Sequence, residues 1–356
     1  MWRHLATLCL TVVLVVSHPF TFSQSRSSQS AYAAAPDDSL LTDPLNSSDG
    51  CDRYRARNWL RQKIVCEEDL CKYGLRLDDN CIDTPSDQPI VILVHGFNST
   101  PDQNIELIRP LRATTRPCGT FAYPNDHTIL SSAQLLSCEL RRFATRYPER
   151  RVILICHSMG SLVARACVED PLYDPGNVDR LIMIAPPTHG SLIAHFAAGT
   201  DVWEHWIARK SGGPWRRVRD SIVDGLGEAA ADLCPGSPFL HDLNARPRKP
   251  DVRYTILLGT GARISEAQLD WVRESICEKI ARMPGGDRSA DRLASILKDM
   301  DELIDGKGDG VVAVKRGRLD GVSDTLVMPF SHLAITGEPR DDVLRQVQQA
   351  VLERVQ

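Results

Sequence analysis

The chain has 356 residues, of which 42% are hydrophobic and 25% are charged. This composition is ordinary for a globular protein, and the length is sufficient for a sizeable core. The formal net charge is −4, which does not suggest the basic balance of a protein that binds nucleic acid.

The first 33 residues are interpreted as a signal peptide. They begin with MWRHLATLCLTVVLVV, an apolar run too short to span a bilayer securely, and end with AYA, a pattern that signal peptidases cut. The mature chain would then start near Ala34, with a net charge of −6, because the removed segment holds two arginines and no acid. We therefore expect a secreted or periplasmic protein, and an uncleaved membrane anchor is the alternative.

Cysteine usage agrees with export. Without Cys9, ten of the eleven cysteines remain, an even number that suits an oxidising compartment. Four of them lie in the segment 51–88, which follows a polar linker at 34–50: Cys51, Cys66, Cys71 and Cys81. This segment contains no His and no CxxC, so two local disulfides are favoured over a zinc site, with three possible pairings.

Residues 89–356 are predicted to form a doubly wound, mostly parallel α/β sheet. Apolar runs at 90–94, 151–156, 180–185, 252–259 and 325–330 indicate buried strands. Leucines and Phe143 recur at helical spacing over 135–143, and aliphatic residues do so over 343–355, which indicates helices between and after the strands.

The stretch from 186 to 250 breaks this alternation and is interpreted as a cap or lid, because it is longer than a connection in a compact domain needs. It contains three tryptophans interleaved with basic residues: Trp203, Trp206, Trp215, Arg209, Lys210, Arg216, Arg217 and Arg219. A solvated basic face above core aromatics is the favoured interpretation of this pattern. A surface for anionic lipid or for a partner is the alternative.

The decisive motif is CHSMG at 156–160, which follows the second predicted strand and opens a helical pattern, SLVARACVED. A sharp turn from strand to helix holds a serine hydroxyl away from its own backbone, where a base can reach it. The helix N-terminus also stabilises developing negative charge. Ser158 is therefore the candidate nucleophile, and a chance serine at a strand end is the alternative.

In this context CHSMG resembles the nucleophile elbow of α/β-hydrolases, whose usual form is GxSxG. Gly160 supplies one of the two small residues, whereas Cys156 replaces the other glycine, so we expect a slightly altered turn. The resemblance implies the α/β-hydrolase fold and an oxyanion hole made by the backbone N–H groups of Phe97 and Met159. An ordinary turn with a structural histidine is the alternative for the HGF segment at 95–97.

The resemblance also implies the order Ser, acid, His along the chain. His332 is the only histidine after His241 and follows the last predicted strand, which makes it the candidate base; a surface histidine is the alternative. Asp309 is the candidate acid, because its GDGVV phrase resembles the acid-bearing loop of many lipases. A calcium loop and a plain surface turn compete with this interpretation. Other acids between the fourth strand and the base include Asp301, Asp305, Asp320 and Asp324.

Two further segments resemble stretches found in bacterial lipases and in inositol deacylases that act on lipid-anchored glycans. They are APPTHGS at 185–191 and DLCPGSPFLHDLN at 232–244. Together these motifs predict a serine hydrolase that cleaves a small-molecule or lipid ester through an acyl-enzyme and needs no cofactor or metal. A thioesterase or an acyltransferase would use the same residues. A non-catalytic binding protein with a hydrolase fold is the alternative from another class.

Overall fold

The computed structural model describes residues 73–81, 88–114, 116–124, 127–194, 226–282, 294–295, 297–336 and 342–355. Outside the described residues lie the predicted signal peptide and linker, three of the four clustered cysteines, and the three tryptophans of the predicted cap. All five predicted site residues lie within them.

A seven-stranded sheet forms the centre of the molecule, in the order β1-β3-β2-β4-β5-β6-β7. The strands are β1 Gly74–Leu77, β2 Ile90–Val94, β3 Cys118–Ala122, β4 Val152–His157, β5 Val178–Ile184, β6 Arg253–Gly259 and β7 Thr325–Met328. Only β1 runs antiparallel to its neighbour, β3, and the remaining pairs are parallel. The predicted doubly wound, mostly parallel α/β sheet is therefore confirmed.

Helices cover both faces of this sheet. They are α1 Pro101–Asn104, α2 Arg109–Ala113, α3 Ile129–Arg146, α4 Met159–Val168, α5 Leu226–Asp232, α6 Pro238–Ala245, α7 Glu266–Ala281, α8 Val314–Gly317 and α9 Asp342–Val355, with 3-10 turns at Asp79–Cys81, Ile105–Ile108, Asp301–Leu303 and Ala334–Thr336. In the described part of the chain, none of the helices combines the length and the apolar character that a bilayer crossing requires.

Burial on two faces explains why the strands could be recognised as unbroken apolar runs. Every residue of β2 and of β4 is buried. One hydrophobic cluster lies between the sheet and α3 and α4, and a second lies between the opposite face and α9. A strand covered on both sides has no polar face, so it shows no alternation.

The described part of the cysteine-rich segment corrects two predictions. β1 pairs with β3 and thus forms the edge of the central sheet, so the boundary placed between 88 and 89 cuts through one structural unit. Cys81 carries a free thiol, which donates a hydrogen bond of 3.0 Å to the carbonyl oxygen of Cys118. The prediction of two disulfides among the four clustered cysteines is therefore wrong for Cys81, because its sulfur is buried against β3.

The described flanks of the predicted cap pack into the main core. Leu233, Leu240 and Leu243 are buried in the cluster that contains α3 and α4. A buried ion pair lies at the end of α4, where Arg165 donates to both carboxylate oxygens of Glu169, at 3.0 and 3.1 Å. Arg165 also donates to Asn244 of α6 at 2.9 Å, and this hydrogen bond connects the two helices. Both charged side chains of the pair are fully buried.

Replacing Glu169 with Gln is expected to lower the free energy of unfolding by about 3 kcal/mol, because removing one partner leaves a buried charge uncompensated. Urea denaturation measures this change. Glu278→Gln is the matched control: it breaks a pair with Arg282 whose side chains are 65% and 74% exposed, and it should cost less than about 1 kcal/mol. Equal losses in both variants would contradict this role of the buried pair.

Candidate active site

Ser158 occupies a strained turn between β4 and α4. Its backbone has φ 52° and ψ −126°, a conformation that residues with a Cβ atom rarely adopt. Its N–H donates to the carbonyl oxygen of Ile184 at 2.9 Å, and its own carbonyl accepts from the N–H of Ser161 at 2.9 Å. The turn therefore lifts the hydroxyl out of the sheet at the N-terminus of a helix.

Close packing around the turn explains its small residues. A Cβ atom on Gly160 would overlap the carbonyl oxygen of His95 and lie 2.8 Å from that of Val94, so only glycine fits there. Cys156 is fully buried at the end of β4, and its carbonyl accepts a hydrogen bond of 3.3 Å from the Ser161 hydroxyl. The turn thus forms with cysteine in place of the first glycine.

Asp309 and His332 form a buried pair. The Nδ1 atom of His332 lies 2.8 Å from Oδ2 of Asp309, and the two side chains are 6% and 1% exposed. The other carboxylate oxygen, Oδ1, accepts the N–H groups of Val311 and Val312 at 2.9 and 2.7 Å. Because both oxygens accept hydrogen bonds from the protein, the carboxylate is fixed and Nε2 of the imidazole is left for another partner.

The other candidate acids lie in different surroundings. Asp305 and Asp320 are exposed, and Asp301 forms an ion pair with Lys315 at 2.8 Å. Asp324 precedes β7 at the opposite end of the sheet and pairs with Arg354. The described residues contain no cluster of three or more His, Cys, Asp or Glu side chains suited to a metal ion.

The imidazole of His157 lies close to both the candidate nucleophile, Ser158, and the candidate base, His332. Its ring centroid lies 4.8 Å from that of His332, and residue 157 directly precedes the candidate nucleophile. No hydrogen bond joins the Ser158 hydroxyl to His332 among the described residues; such bonds are often long in unliganded enzymes and tighten when substrate binds. Burial, and then the neighbouring His332, hold the pKa of His157 well below its usual range.

His157 was not predicted as a site residue, although it directly precedes Ser158 in the sequence. Both of its ring nitrogens are buried without a hydrogen-bond partner. The neutral imidazole of His157 packs against the His332 ring with the two ring planes tilted by 41°.

The HGF turn lies directly against the nucleophile. A Cβ atom on Gly96 would lie 3.0 Å from Cβ of Ser158 and 3.2 Å from Nδ1 of His157. Phe97, the next residue, is half-buried. Met159 occupies the first position of α4, where a backbone N–H has no partner within the helix. The two predicted N–H donors thus lie on the two segments that meet at Ser158.

The side chain of His95 is buried and contacts Gly96 and Tyr123. Its Nδ1 atom lies 2.9 Å from the carbonyl oxygen of Gly96, and its Nε2 atom accepts the N–H of Tyr123 at 3.3 Å. The ring stacks on Tyr123 with centroids 4.2 Å apart. Burial lowers the pKa of His95 to about 4.

Comparison with known proteins agrees with this architecture. A family model described as a PGAP1-like alpha/beta domain matches residues 125–210, which include β4, the serine turn and α4. No curated protein sequence matches the chain significantly.

Solved structures with a similar fold include lipases and a carboxyl esterase. The propeptide form of the Bacillus licheniformis lipase BlEst2 has a TM-score of 0.50 and 17% identity, with 76% of this chain and 52% of that chain covered. Its mature form gives 0.48 and 18%, covering 76% and 93%. A metagenomic carboxyl esterase gives 0.44 and 16%, covering 76% of each chain.

The chain therefore has the α/β-hydrolase fold. Its resemblance to hydrolases of the lipase and esterase kind, which the motifs indicated, is confirmed by the family match together with the structural match to the propeptide form of BlEst2.

The depressed pKa of His95 predicts a loss of stability in acid. The unfolded chain takes up a proton near pH 6.5 and the folded chain only near pH 4, so the stabilising contribution is lost as the pH falls between these values. Between pH 7 and pH 5 the His95 contribution should fall by about 2 kcal/mol. Urea denaturation at both pH values measures it, and His95→Gln should reduce the difference by that amount. An unchanged difference would contradict the buried neutral histidine.

Proposed function

We propose that this protein is an exported serine hydrolase that cleaves carboxylic esters through Ser158, His332 and Asp309. The observation that carries the proposal is the buried Asp309–His332 pair, 2.8 Å between Oδ2 and Nδ1, with its imidazole packed on the residue next to the strained serine. Export rests on the predicted signal peptide at 1–33.

In the proposed reaction, His332 removes the hydroxyl proton of Ser158 through Nε2 while Ser158 attacks the ester carbonyl. Asp309 holds the imidazole in the tautomer that carries its proton on Nδ1, and stabilises the imidazolium that forms. The protonated His332 then gives its proton to the leaving alcohol. Water, deprotonated by the same imidazole, finally releases the acyl group from the serine.

Backbone N–H groups stabilise the tetrahedral intermediate in this proposal. Phe97 and Met159 lie on the two segments that meet at Ser158, and each donor can contribute about 3 kcal/mol where water is excluded. The burial of His332, which is 5% exposed, and of Ser158, which is 8% exposed, supports a site from which bulk water is largely absent.

The structural relatives support the proposed substrate class. Lipases and a carboxyl esterase share the fold, so a lipid or small-molecule ester is the proposed substrate.

Ser158→Ala is expected to lower the turnover of p-nitrophenyl esters by a factor on the order of 10⁶, the loss seen when a serine hydrolase loses its nucleophile. A series from butyrate to palmitate, assayed with and without a lipid interface, should also show which acyl length is preferred. Ser161→Ala, one turn further along, serves as the control for packing around the turn. Near-normal hydrolysis by the Ser158 variant would refute the nucleophile.

Asp309→Asn is expected to lower turnover by about 10⁴, because an amide donates to Nδ1 and stabilises the wrong imidazole tautomer. Asp305→Asn is the matched control, since Asp305 is an exposed acid four residues earlier, and its activity should equal that of the unmodified protein. Undiminished turnover in the Asp309 variant would show that another group orients the base.

A further inference from the structure

A cationic cavity opens at the amino ends of β5, β6 and β7. Its volume is about 440 Å³, and it is lined by Arg180 together with residues 248–250, 252–255 and 321–324. The candidate active site follows the carboxyl ends of the strands, and β5 alone is seven residues long. The two sites are therefore separated by roughly 20 Å of sheet.

The lining carries more positive than negative charge. Its basic residues are Arg180, Arg248, Lys249 and Arg253, and its acidic residue is Asp324. That carboxylate already accepts two hydrogen bonds from Arg354, at 2.7 and 2.8 Å, and one from the Thr255 hydroxyl at 2.7 Å. Asp324 is therefore committed to neighbours other than the lining arginines.

Two of the four basic side chains have partners of their own. Arg248 donates to Glu169 at 2.9 Å, a carboxylate that also binds Arg165. Lys249 forms an ion pair with Asp174. The charges of these two cations are therefore balanced by carboxylates of the protein.

The other two, Arg180 and Arg253, are register partners on the adjacent parallel strands β5 and β6, so their side chains leave the same face of the sheet. Within the described part of the chain, neither guanidinium forms an ion pair or a hydrogen bond. The Nε atom of Arg180 is buried without an acceptor. Burial, followed by repulsion from Arg253, lowers the pKa of Arg180.

Like charges on neighbouring strands destabilise a sheet, and a buried donor without an acceptor adds to the cost. A bound oxyanion would relieve both, because a guanidinium fits two oxygens of such a group and two guanidiniums balance two negative charges. We propose that this cavity binds a phosphate monoester dianion between Arg180 and Arg253. The same chemistry is offered by a soluble phosphate monoester and by the headgroup of phosphatidate, whose phosphate is also a monoester.

Titration calorimetry of the full chain with glycerol phosphate at low salt tests the site. The unmodified protein should bind it, and Arg180→Gln and Arg253→Gln should each weaken binding about tenfold or more, the loss of one charge-assisted contact. Arg263→Gln is the matched control, since it removes an exposed arginine beyond the opposite end of β6 and should leave binding unchanged. Removing one of two repelling cations should not unfold the sheet, and urea denaturation of each variant checks this.

Vesicles of phosphatidylcholine with and without phosphatidate distinguish the two sources of the ligand. Cosedimentation with phosphatidate vesicles that Arg180→Gln abolishes would assign a lipid headgroup, whereas binding of glycerol phosphate alone would assign a soluble ester. Either result supports the site. Binding of neither ligand by the unmodified protein, or equal binding by Arg180→Gln, would overturn it.

Discussion

The structure of the candidate active site depends on one backbone constraint, the positive φ of Ser158. Holding a residue with a side chain in such a conformation costs about 1–3 kcal/mol, so it persists only where the surroundings determine it. Here the hydrogen bond from Ser158 to the carbonyl oxygen of Ile184 anchors the turn on β5, and the absence of a side chain at Gly160 lets α4 approach the end of β2. The strain is thus carried at the end of β4, the fully buried central strand of the sheet.

The positions of Asp309 and His332 depend on a similarly close contact between their loops and the end of β6. A Cβ atom on Gly259, the last residue of β6, would lie 2.7 Å from Cβ of Asp309, and one on Gly261 would meet the backbone of Phe330 at 2.6 Å. The His332 N–H also donates to the carbonyl oxygen of Asp309 at 2.9 Å. The loops that carry Asp309 and His332 therefore both pack against the end of β6, which places the carboxylate and the imidazole in contact.

Much of the sheet could be predicted from the sequence, because parallel strands buried on both faces are unbroken apolar runs. The edge strand GLRL of β1 and the small-residue strand CGTFA of β3 lack this signal, since the first is half-exposed and the second includes Gly119 and Thr120. Their pairing is a long-range property, and no local pattern encodes it. The same lack of local information left the free thiol of Cys81 unpredicted.

For the candidate site, motif and chain order indicated the serine and the histidine, but five aspartates competed for the acid. What separates them is burial and hydrogen bonding, which depend on the packed loops: Asp309 alone of the five contacts an imidazole, whereas Asp301 and Asp324 pair with cations at the surface. The contact between the His157 and His332 rings could not be predicted for the same reason, because ring contacts depend on tertiary packing.

Labelling with a fluorophosphonate probe tests the central claim most directly, because only a serine activated by a neighbouring base reacts quickly. We expect mass spectrometry to find the probe on Ser158 and on no other serine of the folded protein, and we expect His332→Gln to abolish rapid labelling. Labelling at another residue, or equally fast labelling without the imidazole of His332, would contradict this claim.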